Sequence, residues 1–407
     1  MGNPLHWDAL GRALRLPDSD RVLAGRVWVR NSGRDTSLEL CLDNPELCHI
    51  EIPGPWENLT RFQIAVNSPF FGRFTEYSRS LCLSKIRGKE VANWVLVLLG
   101  KTYYLALDGC PDVESVTEFG AAKGMNHNLK TLWLERCPKM ECLIKNTGGL
   151  LDSNSEYAFS HLEILEIWRM DAFVEICKGT NPPPGLLAKL KKLEFKYCDG
   201  LVTAIPRKLI HNFLNLEALA IEYCPNLEYV LETEEEEEAE SSLVSNIRRI
   251  SEPLPTPIFP NLKRVTMFGF PKIRYVVTMR VARNLLHLEY LFICDGSEME
   301  VLFKYADGED VKCDEDFKDT AILPRLKSLT VSKARSLKSF TNKNLVMDLP
   351  SLEKLSVTKC GILERLPFGT TSVPNLKKIE MDDTEHFDRL EWEDESVKAH
   401  LQAILLL

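Results

Sequence analysis

The chain has 407 residues, 44% hydrophobic, 27% charged and 9% aromatic, which excludes a wholly disordered protein. Its 50 Lys and Arg against 59 Asp and Glu leave a formal charge of −9, so the basic footprint of a nucleic-acid binder is absent. With 21 Gly, 22 Pro and 12 Cys, collagen-like, low-complexity and disulfide-scaffold classes are excluded as well.

Along the chain, Met1 to Asp8 shows no basic region followed by an apolar core, so no secretory signal is read there. Residues 1–35 match no repeat and are expected to form an atypical N-terminal segment. Their arginines, Arg12, Arg15, Arg21, Arg26, Arg30 and Arg34, suit either an anionic partner or an irregular cap. A weak periodic trace starts at Leu59, Phe62 and Ile64. The longest apolar run, Val91–Leu99, is about half of what a membrane span needs, and Asn93 interrupts it. Val95 to Thr102 reads as a strand running into Gly100-Lys101-Thr102. A phosphate loop needs an earlier glycine, where Val95 stands, and a following helix, where Tyr104–Leu107 reads as a strand.

From there one pattern recurs, L-x-x-L-x-L-x-x-C-x-x-L, with other apolar residues replacing Leu. Its first, weaker copy is Leu105, Leu107, Cys110, Val113; the clearest is Leu129, Leu132, Leu134, Cys137, Met140. Further copies start at Leu162, Leu190, Leu216, Leu262, Leu288, Leu326, Leu352 and Leu376. This is the leucine-rich-repeat signature. The L-x-L core is a short parallel strand with alternate side chains turned inward, and the Cys fits inside the bend that follows. No repeat buries its own apolar face, so the repeats must stack. The expected fold class is therefore α/β: a curved solenoid with a parallel sheet on the concave face and loops and short helices on the convex side. It spans residues 36–395 as one stack.

Steps of 33, 46 and 38 residues between first leucines exceed the usual repeat and predict insertions near 144–157, 229–257 and 300–322. The middle one holds seven Glu between Glu232 and Glu240, a block expected to be a solvated loop or an interaction tail. Without those seven, 52 acids face 50 bases, so the solenoid itself is nearly neutral. Residues 396–407 are expected to close the stack, with Val397, Leu401 and Leu405 on one helical face.

No motif supports an enzyme: H-E-x-x-H and G-x-S-x-G are both absent. Five of the 12 Cys occupy the same repeat position, which predicts stacking in successive turns and not a metal site. The expectation is no metal and no cofactor. What remains is the concave face. Trp133, Trp168, Phe268, Tyr290 and Phe292 flank the inward strand positions, so parity turns them outward. With Lys192, Lys196 and Arg264 they form the candidate protein-binding set, exposed aromatics being good contact residues. The competing reading is that the aromatics stack on each other or lie under a loop.

Leu132-Trp-Leu-Glu-Arg-Cys137-Pro138 and Leu219-Ala-Ile-Glu-Tyr-Cys224-Pro225 resemble the repeats of plant disease-resistance proteins. So do Phe259-Pro-Asn-Leu-Lys-Arg-Val265 and its echoes Leu349-Pro-Ser-Leu-Glu-Lys-Leu355 and Val373-Pro-Asn-Leu-Lys-Lys-Ile379. The group is the coiled-coil nucleotide-binding leucine-rich-repeat immune receptors. The resemblance covers about residues 36–395 and lacks the coiled-coil and nucleotide-binding parts. It implies a cytoplasmic recognition region whose partners are a pathogen effector, a guarded host protein or a nucleotide-binding receptor domain, with no membrane span. The alternatives are a substrate adaptor of a ubiquitin ligase, which also uses such repeats, and a truncated receptor fragment without signalling activity.

Overall fold

The computed structural model describes residues 28–30, 37–52, 56–68, 78–88, 90–118, 128–145, 159–179, 182, 185–232, 258–305, 321–343, 345–392 and 394–406. Most of residues 1–35, the bodies of the three expected insertions and the acidic run beyond Glu232 lie outside them. The chain forms two compact units: residues up to Leu190 with Tyr197–Gly200, and Lys191–Lys196 with Leu201 onward.

In the first unit the strands Trp28–Arg30, Ser37–Leu42, Arg61–Val66, Arg79–Ser84, Tyr104–Asp108, Thr131–Glu135 and Ile164–Trp168 lie side by side in chain order. The first pair is antiparallel and the others are parallel. In the second unit Lys192–Lys196, Ala218–Glu222, Arg264–Phe268, Tyr290–Cys294, Ser328–Ser332, Lys354–Thr358, Lys378–Met381 and Leu405–Leu406 follow, all parallel. Each repeat advances the chain by one strand, so the order never crosses. This is an α/β leucine-rich-repeat solenoid. The weak trace at Leu59 is a full repeat, and one more strand pair precedes it.

Register keeps like with like. Leu132 pairs with Leu165 and Leu134 with Ile167; Leu219 pairs with Val265, and Leu329 with Leu355. These side chains are buried, as are the first leucines Leu129, Leu162, Leu216 and Leu352. Burying such apolar residues contributes about 2 kcal/mol each, less the ordering entropy.

The side-by-side strands from Arg79–Ser84 to Lys354–Thr358 each lead into a left-handed residue. Lys85, Gly109, Arg136, Arg169 and Tyr197 in the first unit, and Tyr223, Gly269, Asp295, Lys333 and Lys359 in the second, all have φ between 51° and 68°. A non-glycine residue there costs about 1 kcal/mol. The turn is held because its N–H reaches the next repeat: Lys85 N donates to Asp108 O at 2.7 Å, Arg136 N to Trp168 O at 3.2 Å, and Lys333 N to Thr358 O at 2.9 Å. In five of these repeats the residue after it is a cysteine. Cys137 Sγ lies 3.4 Å from Glu135 O, Cys198 Sγ 3.3 Å from Ile167 O, and Cys360 Sγ 3.3 Å from Thr358 O. A thiol is small enough for the bend and donates weakly to carbonyls left there.

Behind the turns, short parallel ladders join neighbouring repeats: Cys142–Lys145 with Glu175–Lys178, Thr203–Ile205 with Tyr229–Leu231, and Val277–Thr278 with Phe303–Lys304. The first two expected insertions thus begin as regular strand, and the third contains the strand Phe303–Lys304.

Two expectations are corrected. Asn93–Leu99 is a helix and not a strand, because Trp94, Val95, Leu98 and Leu99 share one buried face at helical spacing. Behind it, Thr102 Oγ1 donates to Leu98 O at 2.7 Å, and Lys101 Nζ reaches the backbone carbonyls of Trp56 and Glu57. Leu405 does not extend the C-terminal helix. Glu395–Gln402 buries Val397 and Leu401, then the chain turns and Leu405 pairs with Ile379.

Candidate functional site

Outward positions on the parallel strands form columns along the open face of each sheet. In the first unit the middle column reads Cys41, Ala65, Cys82, Ala106, Trp133 and Glu166. The small side chains leave a trough beside Tyr104, and Trp133 lies in it with 8% of its surface exposed. Its ring meets Trp168 at 4.9 Å between centres, tilted by 57°. Parity does turn Trp133 outward, but it does not expose it. Small neighbours on one side and a second indole on the other bury it on the face. Burial also pushes the Cys82 thiol above its ordinary pKa.

The last outward column of this unit, Ser84, Asp108, Glu135 and Trp168, carries two acids. Asp108 and Glu135 are buried, and each is held by an arginine from the next turn. Arg136 Nε and Nη2 bind the two oxygens of Asp108, both at 2.8 Å, and Ser84 Oγ donates to Asp108 at 2.9 Å. Arg169 Nη1 binds Glu135 at 3.0 Å. A two-pronged guanidinium–carboxylate pair is the stronger form of such a bond.

In the second unit the first outward column is Lys192, Ala218, Arg264, Tyr290, Ser328, Lys354 and Lys378. The middle one is Glu194, Ala220, Thr266, Phe292, Thr330, Ser356 and Glu380. Tyr290 and Phe292 are 40% and 38% exposed. Phe292 stands between Thr266 and Thr330, whose short side chains leave both of its flanks open. The guanidinium of Arg264 sits 5.0 Å from the centre of the Tyr290 ring. Phe268 stacks on Tyr223 at 4.8 Å. Lys192 binds Glu194 at 2.7 Å, and Lys196 binds Glu222.

The expected binding set therefore falls into separate groups. Trp133 is buried and packs against the partly buried Trp168. Arg264, Tyr290 and Phe292 form an exposed cluster with Phe268 beside it. Lys192 and Lys196 are committed to acidic neighbours. Tyr223 was missed, because the left-handed position after the strand leaves no mark in apolar spacing. Asp108 and Arg136 were missed too; their signal is an acid closing one strand and an arginine just after the next. Among the described residues no group of three or more His, Cys, Asp or Glu is placed to hold a metal, and no helix is long and apolar enough to cross a membrane.

The family model for plant disease resistance protein RPS2-like leucine-rich repeats matches residues 161–251 and 239–385, more than half of the chain. Two relatives from Arabidopsis thaliana are similar. "Probable disease resistance protein At5g63020" is 28% identical over 147 residues, 36% of this chain and 15% of the relative. "Disease resistance protein At4g27190" is 28% identical over 186 residues, 42% of this chain and 18% of the relative. The chain thus spans less than a fifth of the length of these relatives. Among solved structures, the leucine-rich repeat domain of the type III effector XCV3220 (XopL) aligns with a TM-score of 0.30 at 18% identity, over 59% of this chain and 78% of that one. By its repeats and by the family-model match over residues 161–385, the chain belongs to the RPS2-like leucine-rich-repeat family of plant disease resistance proteins.

Proposed function

We propose that this chain is a protein-recognition module of plant defence, which binds a pathogen effector or a guarded host protein and performs no catalysis. The carrying observation is the pair Tyr290 and Phe292, turned to the same side of one strand and 40% and 38% exposed. Aromatics give large contact area at small entropic cost, and Arg264 over the Tyr290 ring adds a cation beside them. Lys354 and Lys378, which share Glu380 at 3.7 Å each, extend a polar rim along the same face. The described cysteines are all free, which supports work in the reducing cytoplasm.

The test is co-precipitation from leaf tissue that expresses this chain with individual effectors of a plant pathogen. One effector, or a host protein present only in its company, is expected to be retained. Tyr290→Ala with Phe292→Ala should then reduce retention at least roughly tenfold while the thermal melt is kept, as for a central aromatic anchor. Undiminished retention by that variant removes this face from the interface.

A further inference from the structure

A second surface lies in the first unit. A cleft of about 760 Å³ opens beyond the C-terminal ends of the strands Arg61–Val66, Arg79–Ser84 and Tyr104–Asp108. Its origin is one residue. Along the column of left-handed turns, Lys85, Arg136 and Arg169 carry long side chains, and Gly109 between Lys85 and Arg136 carries none. The second unit has the same gap at Gly269, but there the Tyr223 ring fills it: a Cβ on Gly269 would lie 2.8 Å from Tyr223 Cδ1. At Gly109 the nearest atom to such a Cβ is Lys85 Cγ at 3.4 Å, and the space stays open.

The charges around this opening are uneven. Asp108, on its floor, is neutralised by both prongs of Arg136. Lys85 and Arg87 are exposed on the rim and form no salt bridge among the described residues, and Arg87 also feels the Asp112 carboxylate. Asp43 adds one carboxylate on another side. Two cations near one open notch attract a carboxylate. The acids in the same lining disfavour a dense polyanion and suit main-chain N–H donors. That mixture fits a peptide.

We propose that the Gly109 cleft is a docking site for an acidic segment of a partner protein, with a carboxylate entering between Lys85 and Arg87. The site is independent of Tyr290 and Phe292.

The experiment titrates the full chain into a fluorescein-labelled peptide of alternating glutamate and glycine, read by anisotropy at low salt. Saturable binding is expected, and it should fall roughly tenfold or more in Lys85→Gln with Arg87→Gln. Gly109→Asn should do the same by filling the notch, since Asn tolerates the left-handed turn and its Cβ meets only a flexible side chain. Thermal melts of both variants should match the parent. Tyr290→Ala with Phe292→Ala should leave peptide binding unchanged, so failure here is separable from failure of the aromatic face. Absent binding, equal affinity in parent and variants, or equal binding of the peptide with Gln in place of Glu overturns the proposal. So does displacement by inorganic phosphate at the concentration of the peptide, which would make the cleft a site for free anions.

Discussion

Glu353 holds the ammonium of Lys377 at 2.7 Å, and the same contact recurs one and two pairs earlier, where Glu289 holds Lys327 at 2.8 Å and Glu217 holds Lys263 at 2.9 Å. All six residues occupy one place, directly after the first leucine of a repeat. Their signs alternate strictly through the second unit, and Lys130 with Glu163 at 3.6 Å continues the rule in the first. Each inner member also feels an opposite charge on its other side, as Lys327 feels Glu353. A slip of one repeat would bring like charges together, so the row helps to fix register. Lys327→Glu places three acids in succession and should lower the melting temperature by about 2 °C at low salt. Lys377→Glu, at the end of the row, should cost less. Calorimetry in low and in about 1 M salt checks this, because salt should erase the difference. Equal loss at both positions would refute the row as a unit.

Trp133 and Phe292 point the same way from their strands yet differ in burial, 8% against 38% exposed. Trp133→Ala removes a large ring from a packed trough and should destabilise the fold by about 3 kcal/mol. Phe292→Ala should change stability by less than about 0.5 kcal/mol. Urea unfolding of the two variants measures both. A stable Trp133→Ala protein would mean that its neighbours close over the gap.

The strands from Tyr104 onward were legible because the inward pair of each, such as Leu132 and Leu134, repeats at fixed spacing. The repeats before them were faint, since Cys41, Ala65 and Cys82 dilute the apolar pattern with small outward residues. Parity predicted which side chains leave the core but not how far they stay exposed. Exposure depends on the next strand, which parity does not see: Ala106 lets Trp133 lie down, while Thr266 and Thr330 leave Phe292 standing. The left-handed column of Lys85, Arg136 and Tyr223 was not legible, because nearly any residue type fills it once its N–H is bonded to the next repeat.

The buried cysteines among the described residues should be silent while the chain is folded. Burial pushes the Cys142 thiol up to about 12 and the Cys360 thiol up to about 11. A thiol reagent attacks the thiolate, so neither residue should react at about pH 8 without unfolding. Half-buried Cys41 should be the first of the described cysteines to label. Mass mapping after brief alkylation, with and without urea, distinguishes these. Early labelling of Cys360 would show that its turn opens locally.

Acid should loosen the charge row before it reaches the core. Bonding to Lys377 lowers the pKa of Glu353, bonding to Lys327 lowers that of Glu289, and the backbone N–H of Ser396 lowers that of Asp394 at the closing helix. A carboxylate whose pKa falls on folding binds fewer protons in the folded state. Its stabilisation is complete above the ordinary carboxylate range and is lost as pH drops through the lowered folded value. Melting temperature should therefore hold from about pH 7 to 5 and fall between about pH 4.5 and 3. Glu353→Gln should show a lower plateau and a shallower fall, because it has no charge left to lose. A parent and variant that fall in parallel would place the acid sensitivity elsewhere.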